Sequence, residues 1–279
     1  MKPLALVVEN DAGTRKLLDV LLSRFGFEVD LAPTGSDGLI LLRTVDYDAI
    51  LIDLLLPGAS GFEILERLSA EDADIVRRVI VLSSASEKEL RRVREQWPAT
   101  TVIRKPFELG EMIEAAQSAI ANRPPRTPDL REMFSRASMR AGAKAGVIVR
   151  TDGRDVEQVD AFGYEPGVFE SFFPMQLDAP YPLCAAMRHA RPVWIASLAA
   201  VAPEYPMLMP VWTLHESRAL AAVPLMHDGV VFGATGWSFR EPRLFNEMEQ
   251  STFMSIAASV AAALPHAEHP IQSGSGASA

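Results

Sequence analysis

Asp53 closes an apolar run, Ala49-Ile50-Leu51-Ile52, and Leu54-Leu55-Leu56-Pro57-Gly58 follows it. Three other apolar runs end in polar residues of a chemical kind. Residues 4–8 end at Glu9-Asn10-Asp11, and residues 79–82 end at Ser83-Ser84. Thr101-Val102-Ile103 runs into Arg104-Lys105-Pro106-Phe107. Short apolar runs separated by helical patterns read as parallel strands of an α/β sheet. In such a sheet, ligands and chemistry gather beyond the carboxyl ends of the strands. Acid, acid, hydroxyl and lysine each stand at one of those ends. That set suits chemistry at a carboxylate, where negative charge gathers and must be neutralised.

The elements that must position these residues are legible in the first half. Strands are expected near 4–8, 27–32, 49–53, 79–83 and 101–104. Helices are expected near 12–24, 36–44, 61–68, 86–95 and 108–121. Leu17, Leu18, Leu21, Leu22 and Phe25 recur at helical spacing, and Gly26 stops that helix. Asp11 stands where it can cap the helix start. Five strands alternating with five helices match the flavodoxin-like doubly wound fold, a parallel sheet of order 2-1-3-4-5. The first and third strands flank the switch point of that order, so Glu9 and Asp53 are expected to meet.

Arg123-Pro124-Pro125-Arg126-Thr127-Pro128 breaks the alternation. Prolines at this density favour an extended link over a helix. The expected division is a domain at 1–122, a Pro-rich linker at 123–128 and a second domain at 129–265. Residues 266–279 end in Ser, Gly and Ala and are expected to form a disordered tail. The second domain reads as α+β with an antiparallel sheet. A helix is expected near 129–141 and strands near 146–150 and 155–162. A loop and short-helix region follows, with Pro192-Val-Trp-Ile-Ala196 and a Pro- and Met-rich stretch to about 213. Two strands, 218–225 and 230–239, flank Asp228-Gly229, a strong hairpin signal. A last helix spans about 245–263, with Phe253, Ile256, Ala257, Val260 and Leu264 on one face.

Residues 1–122, with their acids, Asp53, Ser83 and Lys105-Pro106-Phe107, resemble the receiver domain of bacterial response regulators. The resemblance implies that Asp53 accepts a phosphoryl group. It implies that Ser83 hydrogen-bonds the group and that Lys105 pairs with its charge. It also implies a Mg²⁺ held by Glu9, Asp53, the backbone carbonyl of Leu55 and the residue at position 10. The pattern departs from the family there, because position 10 is Asn10 where a second acid is usual. Asn offers a neutral carbonyl oxygen, so the cage loses one formal charge. Val102 stands where receivers commonly carry an aromatic switch, and Pro98 replaces a small residue. Residues 129–264 resemble a GAF domain, a sensing and dimerising module. The resemblance rests on the helix, two strands and helical insert, then on the paired segments 218–225 and 229–239.

Composition excludes several functions. The net charge is −9 and the pI about 5.1, which does not favour a nucleic-acid partner. The basic run Arg91-Arg92-Val93-Arg94 lies among Glu87, Glu89 and Glu95 and reads as a solvated helix face. Cys184 is the single cysteine, so no intrachain disulfide forms, which agrees with a cytoplasmic chain. No signal peptide and no run of about 20 apolar residues is visible, so membrane insertion is not expected. The five histidines are scattered, no catalytic set is present in the second half, and it does not match the cyclic-nucleotide signature of some GAF domains. The expectation is a regulator, not an enzyme, beyond a receiver's own phosphorylation and dephosphorylation. The expected phosphodonor is a sensor histidine kinase or phosphotransfer protein. A homodimer through the GAF-like helices is also expected, because no charge interrupts the last helix after Glu249. The alternatives are a scaffold that is not phosphorylated and a small-molecule sensor acting through the second domain.

Overall fold

The computed structural model describes residues 2–121, 129–164, 172–201, 205 and 216–264. The linker at 123–128, the tail at 266–279, Phe169 and Trp212 lie outside them. The chain divides into two compact units, residues 1–127 and 128–279.

The first unit alternates β1 (Leu4–Val8), α1 (Ala12–Arg24), β2 (Glu28–Ala32), α2 (Gly35–Thr44), β3 (Ala49–Ile52) and α3 (Gly61–Glu71). It continues with β4 (Val79–Ser83), α4 (Glu87–Gln96), β5 (Thr101–Arg104) and α5 (Leu109–Ile120). The sheet is parallel and its order is β2-β1-β3-β4-β5, as the flavodoxin-like reading requires. Every residue of β1, β3 and β4 is buried, because helices cover both faces of a parallel sheet. The edge strands β2 and β5 are only partly buried. Helix starts are locally encoded. Asp11 accepts from Thr14 N–H, and Ser60/Glu63 and Ser86/Glu89 form reciprocal capping boxes. A single 3₁₀ turn, Ile75–Arg78, leads into β4; no periodic pattern announces it.

The second unit opens with α6 (Leu130–Arg140), then β6 (Ala145–Thr151), β7 (Asp155–Phe162), β8 (Met175–Gln176) and α7 (Pro182–His189). It closes with β9 (Val193–Ile195), α8 (Leu198–Val201), β10 (Ala219–His227), β11 (Val230–Phe239) and α9 (Glu247–Ala263). Six strands pair antiparallel in the order β8-β7-β6-β11-β10-β9. Asp228 and Gly229 turn the hairpin with φ of 48° and 80°, as a tight two-residue hairpin turn demands.

One sheet face carries an aromatic core. Trp237 packs 5.9 Å from Phe134 and 4.9 Å from Phe253, and its indole N–H donates to Ser138 Oγ at 2.8 Å. Arg243 ties this face to both helices. Its Nε donates to Glu249 at 2.8 Å and its Nη2 to the Ala141 carbonyl at 2.9 Å. Its guanidinium lies 4.7 Å from the Phe239 ring centroid. Arg243→Ala is expected to lower the stability of this unit by about 2 kcal/mol, since a charged fork, a cation–π contact and a capped carbonyl are lost together. Arg243→Lys should recover less than half of that, because an ammonium cannot span both partners. Urea unfolding of the three proteins reads this, and an unchanged midpoint for the Ala variant would contradict it.

Candidate functional site

Four side chains from four elements meet at the carboxyl edge of the parallel sheet. Glu9 follows β1, Asp53 follows β3, Ser83 ends β4 and Lys105 follows β5. The strand order brings them together, because β1 and β3 are neighbours and β4 and β5 lie next in line. Glu9, Asp53 and Ser83 are buried. Lys105 Nζ donates to Asp53 Oδ2 at 2.6 Å and also to Glu9 Oε2. Ser83 Oγ donates to Asp53 Oδ1 at 2.6 Å. The Leu55 N–H donates to the same oxygen at 3.0 Å, and the Asp11 N–H to Glu9 Oε1 at 3.0 Å. The Lys105–Pro106 peptide is cis, and Phe107 packs against the core.

The electrostatics follow from this arrangement. Two buried carboxylates share one ammonium, so one negative charge remains. Burial alone would lower the Lys105 pKa, but the bonds to Asp53 and Glu9 and their charges outweigh it and hold the value above 10.5. Lys105 therefore stays charged at neutral pH. Its contribution to stability is complete below pH 10.5 and is lost as pH rises through the raised value.

Asn10 is exposed beside this group, and Leu55 is half exposed just after Asp53. Arg15 is a neighbour that sequence reasoning did not single out. Its Nη1 donates to the backbone carbonyls of Glu9 at 2.6 Å and Asn10 at 3.1 Å. Nothing in the sequence separates it from an ordinary surface arginine of α1. Among the described residues no three His, Cys, Asp or Glu side chains cluster as a metal cage. The side-chain oxygens that do meet here are the carboxylates of Glu9 and Asp53, joined through Lys105. That set fits a hard cation such as Mg²⁺, which keeps several of its waters.

Residues 5–117 match the family model of the response regulator receiver domain, and residues 129–264 match that of a GAF domain. Sporulation initiation phosphotransferase F of Bacillus subtilis is 30% identical over 112 residues, 40% of this chain and 89% of that one. The chain belongs to the response regulator receiver family. The cell cycle transcriptional regulator CtrA of Caulobacter vibrioides is 32% identical over 115 residues, 41% of this chain and 49% of that one. A protein-glutamate methylesterase/protein-glutamine glutaminase of Myxococcus xanthus is 32% identical over 197 residues, 65% of this chain and 53% of that one. This receiver and GAF chain thus spans about half the length of those last two relatives.

The GAF unit gathers no comparable set of groups among its described residues. Cys184 is fully buried, with Sγ 3.6 Å from Met175 Sδ, and burial pushes its thiol up to about 11. Burial and a raised pKa are what a packing thiol shows. Phe172, Phe173 and Tyr181 pack against the core cluster that contains Cys184, and Trp194 packs on Phe245 at 5.3 Å. No helix among the described residues is long and apolar enough to cross a membrane.

Proposed function

We propose that this chain is a two-component response regulator that accepts a phosphoryl group on Asp53. The donor is a phosphohistidine of a sensor kinase or phosphotransfer protein. A carboxylate oxygen of Asp53 forms the new P–O bond as the donor's P–N bond breaks. The observation that carries this reading is the group of buried Asp53 and Ser83 with the partly buried Lys105, whose ammonium also bonds Glu9. Ser83, whose hydroxyl donates to Asp53 Oδ1 at 2.6 Å, would turn that bond to the incoming oxygens, and Lys105 would offset their charge. Glu9, Asp53, the Leu55 carbonyl and the Asn10 amide oxygen would hold Mg²⁺, which adds further charge neutralisation. Residues 1–122 do this work in our reading, and 129–265 form a separate GAF-like domain beyond the linker. Output passes through protein contacts of a cytoplasmic chain and not through nucleic acid.

Mass spectrometry after incubation with acetyl phosphate and Mg²⁺ tests this. One added phosphoryl mass, mapped to Asp53, is the expected result. A second reading is a scaffold whose receiver is never phosphorylated. Asn10 in place of an acid, and an ammonium that already bridges both carboxylates, favour it. An unlabelled chain would select it.

The GAF unit is proposed to pair with a second copy through α9. That helix buries Phe253, Ile256, Ala257, Val260 and Ala261. Ser251, Thr252, Ser255, Ala258, Ser259 and Ala262 are exposed and uncharged. Thr252 and Ser259 donate back to their own helix at 2.9 and 3.0 Å, so they do not need water. A groove of about 460 Å³, with Met133, Ala137, Met248 and Ser255 in its walls, runs between α6 and α9. Met248 at its mouth is 81% exposed. A surface helix without a charged face is best resolved by a copy with the same neutral face, which avoids the self-repulsion of a chain of charge −9. Sedimentation of the full chain should give a dimer at micromolar concentration, and Ser255→Arg should give a monomer. A wild-type monomer would end this part of the proposal.

A further inference from the structure

The loop that follows Asp53 rests on the first turn of α2. The Gly35 N–H donates to the Pro57 carbonyl at 3.1 Å. A Cβ added at Gly35 would lie 1.7 Å from the Ala59 carbonyl oxygen and 2.7 Å from its carbon. One added at Gly58 would lie 2.6 Å from Ser36 Oγ. At the end of the loop, the Gly61 N–H donates to the Leu54 carbonyl at 3.2 Å, and a Cβ there would lie 2.4 Å from the Asp53 carbonyl oxygen. The first of these distances is far inside any van der Waals contact, and the atom met is backbone, which cannot rotate aside like a side chain. So the 54–60 loop and the start of α2 approach as closely as they do only because residue 35 has no side chain. The same loop carries Leu55, whose N–H holds Asp53 Oδ1.

We propose that Gly35, on α2 and outside the charged group, is a positioning residue for phosphoryl transfer. Its missing side chain seats the 54–60 loop, and the seated loop aims the Leu55 N–H at Asp53 and fixes the Leu55 carbonyl beside it. The proposal rests on Asp53 being the acceptor only for its kinetic consequence; the seating itself is a property of the fold.

The experiment uses the full chain and two readouts. In Gly35→Ala, amide hydrogen exchange at Leu55 should accelerate about tenfold, because the loop opens locally. Labelling by acetyl phosphate with Mg²⁺ should slow on the order of 10²-fold, since a displacement of about 1 Å near the reacting atoms has that effect. Gly110→Ala on α5, where an added Cβ meets nothing within 4 Å, should change neither. Should Gly35→Ala not fold, Gly58→Asn probes the neighbouring contact between the loop and α2, with Ser36, at a φ of 79° that Asn tolerates. Ser36→Ala, which removes the obstructing oxygen, should then reverse the effect. A folded Gly35→Ala with wild-type exchange at Leu55 overturns the proposal, as does faster exchange with a wild-type labelling rate. A wild-type chain that takes no label defeats the reading of Asp53 and with it the kinetic role of Gly35, whatever the Leu55 exchange shows.

Discussion

Replacing Asp53 with Asn abolishes labelling by acetyl phosphate and leaves the first unit folded. The amide cannot supply the nucleophilic oxygen, and no other acid stands at the end of β3. The fold survives because most of the local bonds survive. An Asn Oδ1 still accepts from Ser83 Oγ and from the Leu55 N–H, which now meet the carboxylate at 2.6 and 3.0 Å. Lys105 keeps Glu9 as its partner. One charge-assisted bond is lost, but so is the repulsion between two buried carboxylates that share one ammonium. These oppose each other, and a net change of about 1 kcal/mol or less is expected. Intact-mass measurement and thermal unfolding of the same samples check both halves. Label that persists on the Asn variant would move the acceptor elsewhere.

Asn10→Asp tightens Mg²⁺ binding by about tenfold or more, the scale on which groups around a metal change its affinity. The native site offers two carboxylates, and their charge is half offset by Lys105. A third carboxylate at the exposed position 10 restores the missing charge without displacing a buried group. Calorimetric titration of both proteins with MgCl₂ at fixed ionic strength gives the ratio. In chelator the sign reverses, because a third acid without a cation adds like-charge repulsion, and the variant should unfold at a slightly lower temperature. Equal affinities would show that residue 10 takes no part in the cage.

Much of the receiver half was legible before any coordinates. Buried parallel strands are continuous apolar runs, so 4–8, 79–83 and 101–104 were readable to the residue and the others to within one. The strand order followed from the alternation of five strands with five helices, and it implied the meeting of Glu9 and Asp53. The antiparallel GAF sheet was legible where its signals are local, at Asp228-Gly229 and in the long strands beside it. It was not legible at Met175–Gln176, and neither was the short helix Leu198–Val201. Elements of two and four residues are too short to carry a period, and β8 exists only because Met175 and Gln176 pair with Val156 and Asp155.

The sequence by itself determined which residue types stand at the strand ends, and therefore what chemistry the edge supports. Tertiary structure alone decided how they are joined. Lys105 reaches Glu9 across 96 positions of chain and Asp53 across 52, and it bridges both where the sequence offered a pair with a phosphoryl group. Arg15 on the Glu9 and Asn10 carbonyls, and Gly35 beneath the 54–60 loop, were equally hidden. The reason is physical. Periodicity and capping report interactions within a few residues, whereas a bridge between two carboxylates or a backbone passing within contact of another depends on how whole elements pack. A helix pattern likewise marks which stripe of α9 is buried. Only the packed unit shows which residues of the opposite face, uncharged from Ser251 to Ala263, are exposed among the described residues.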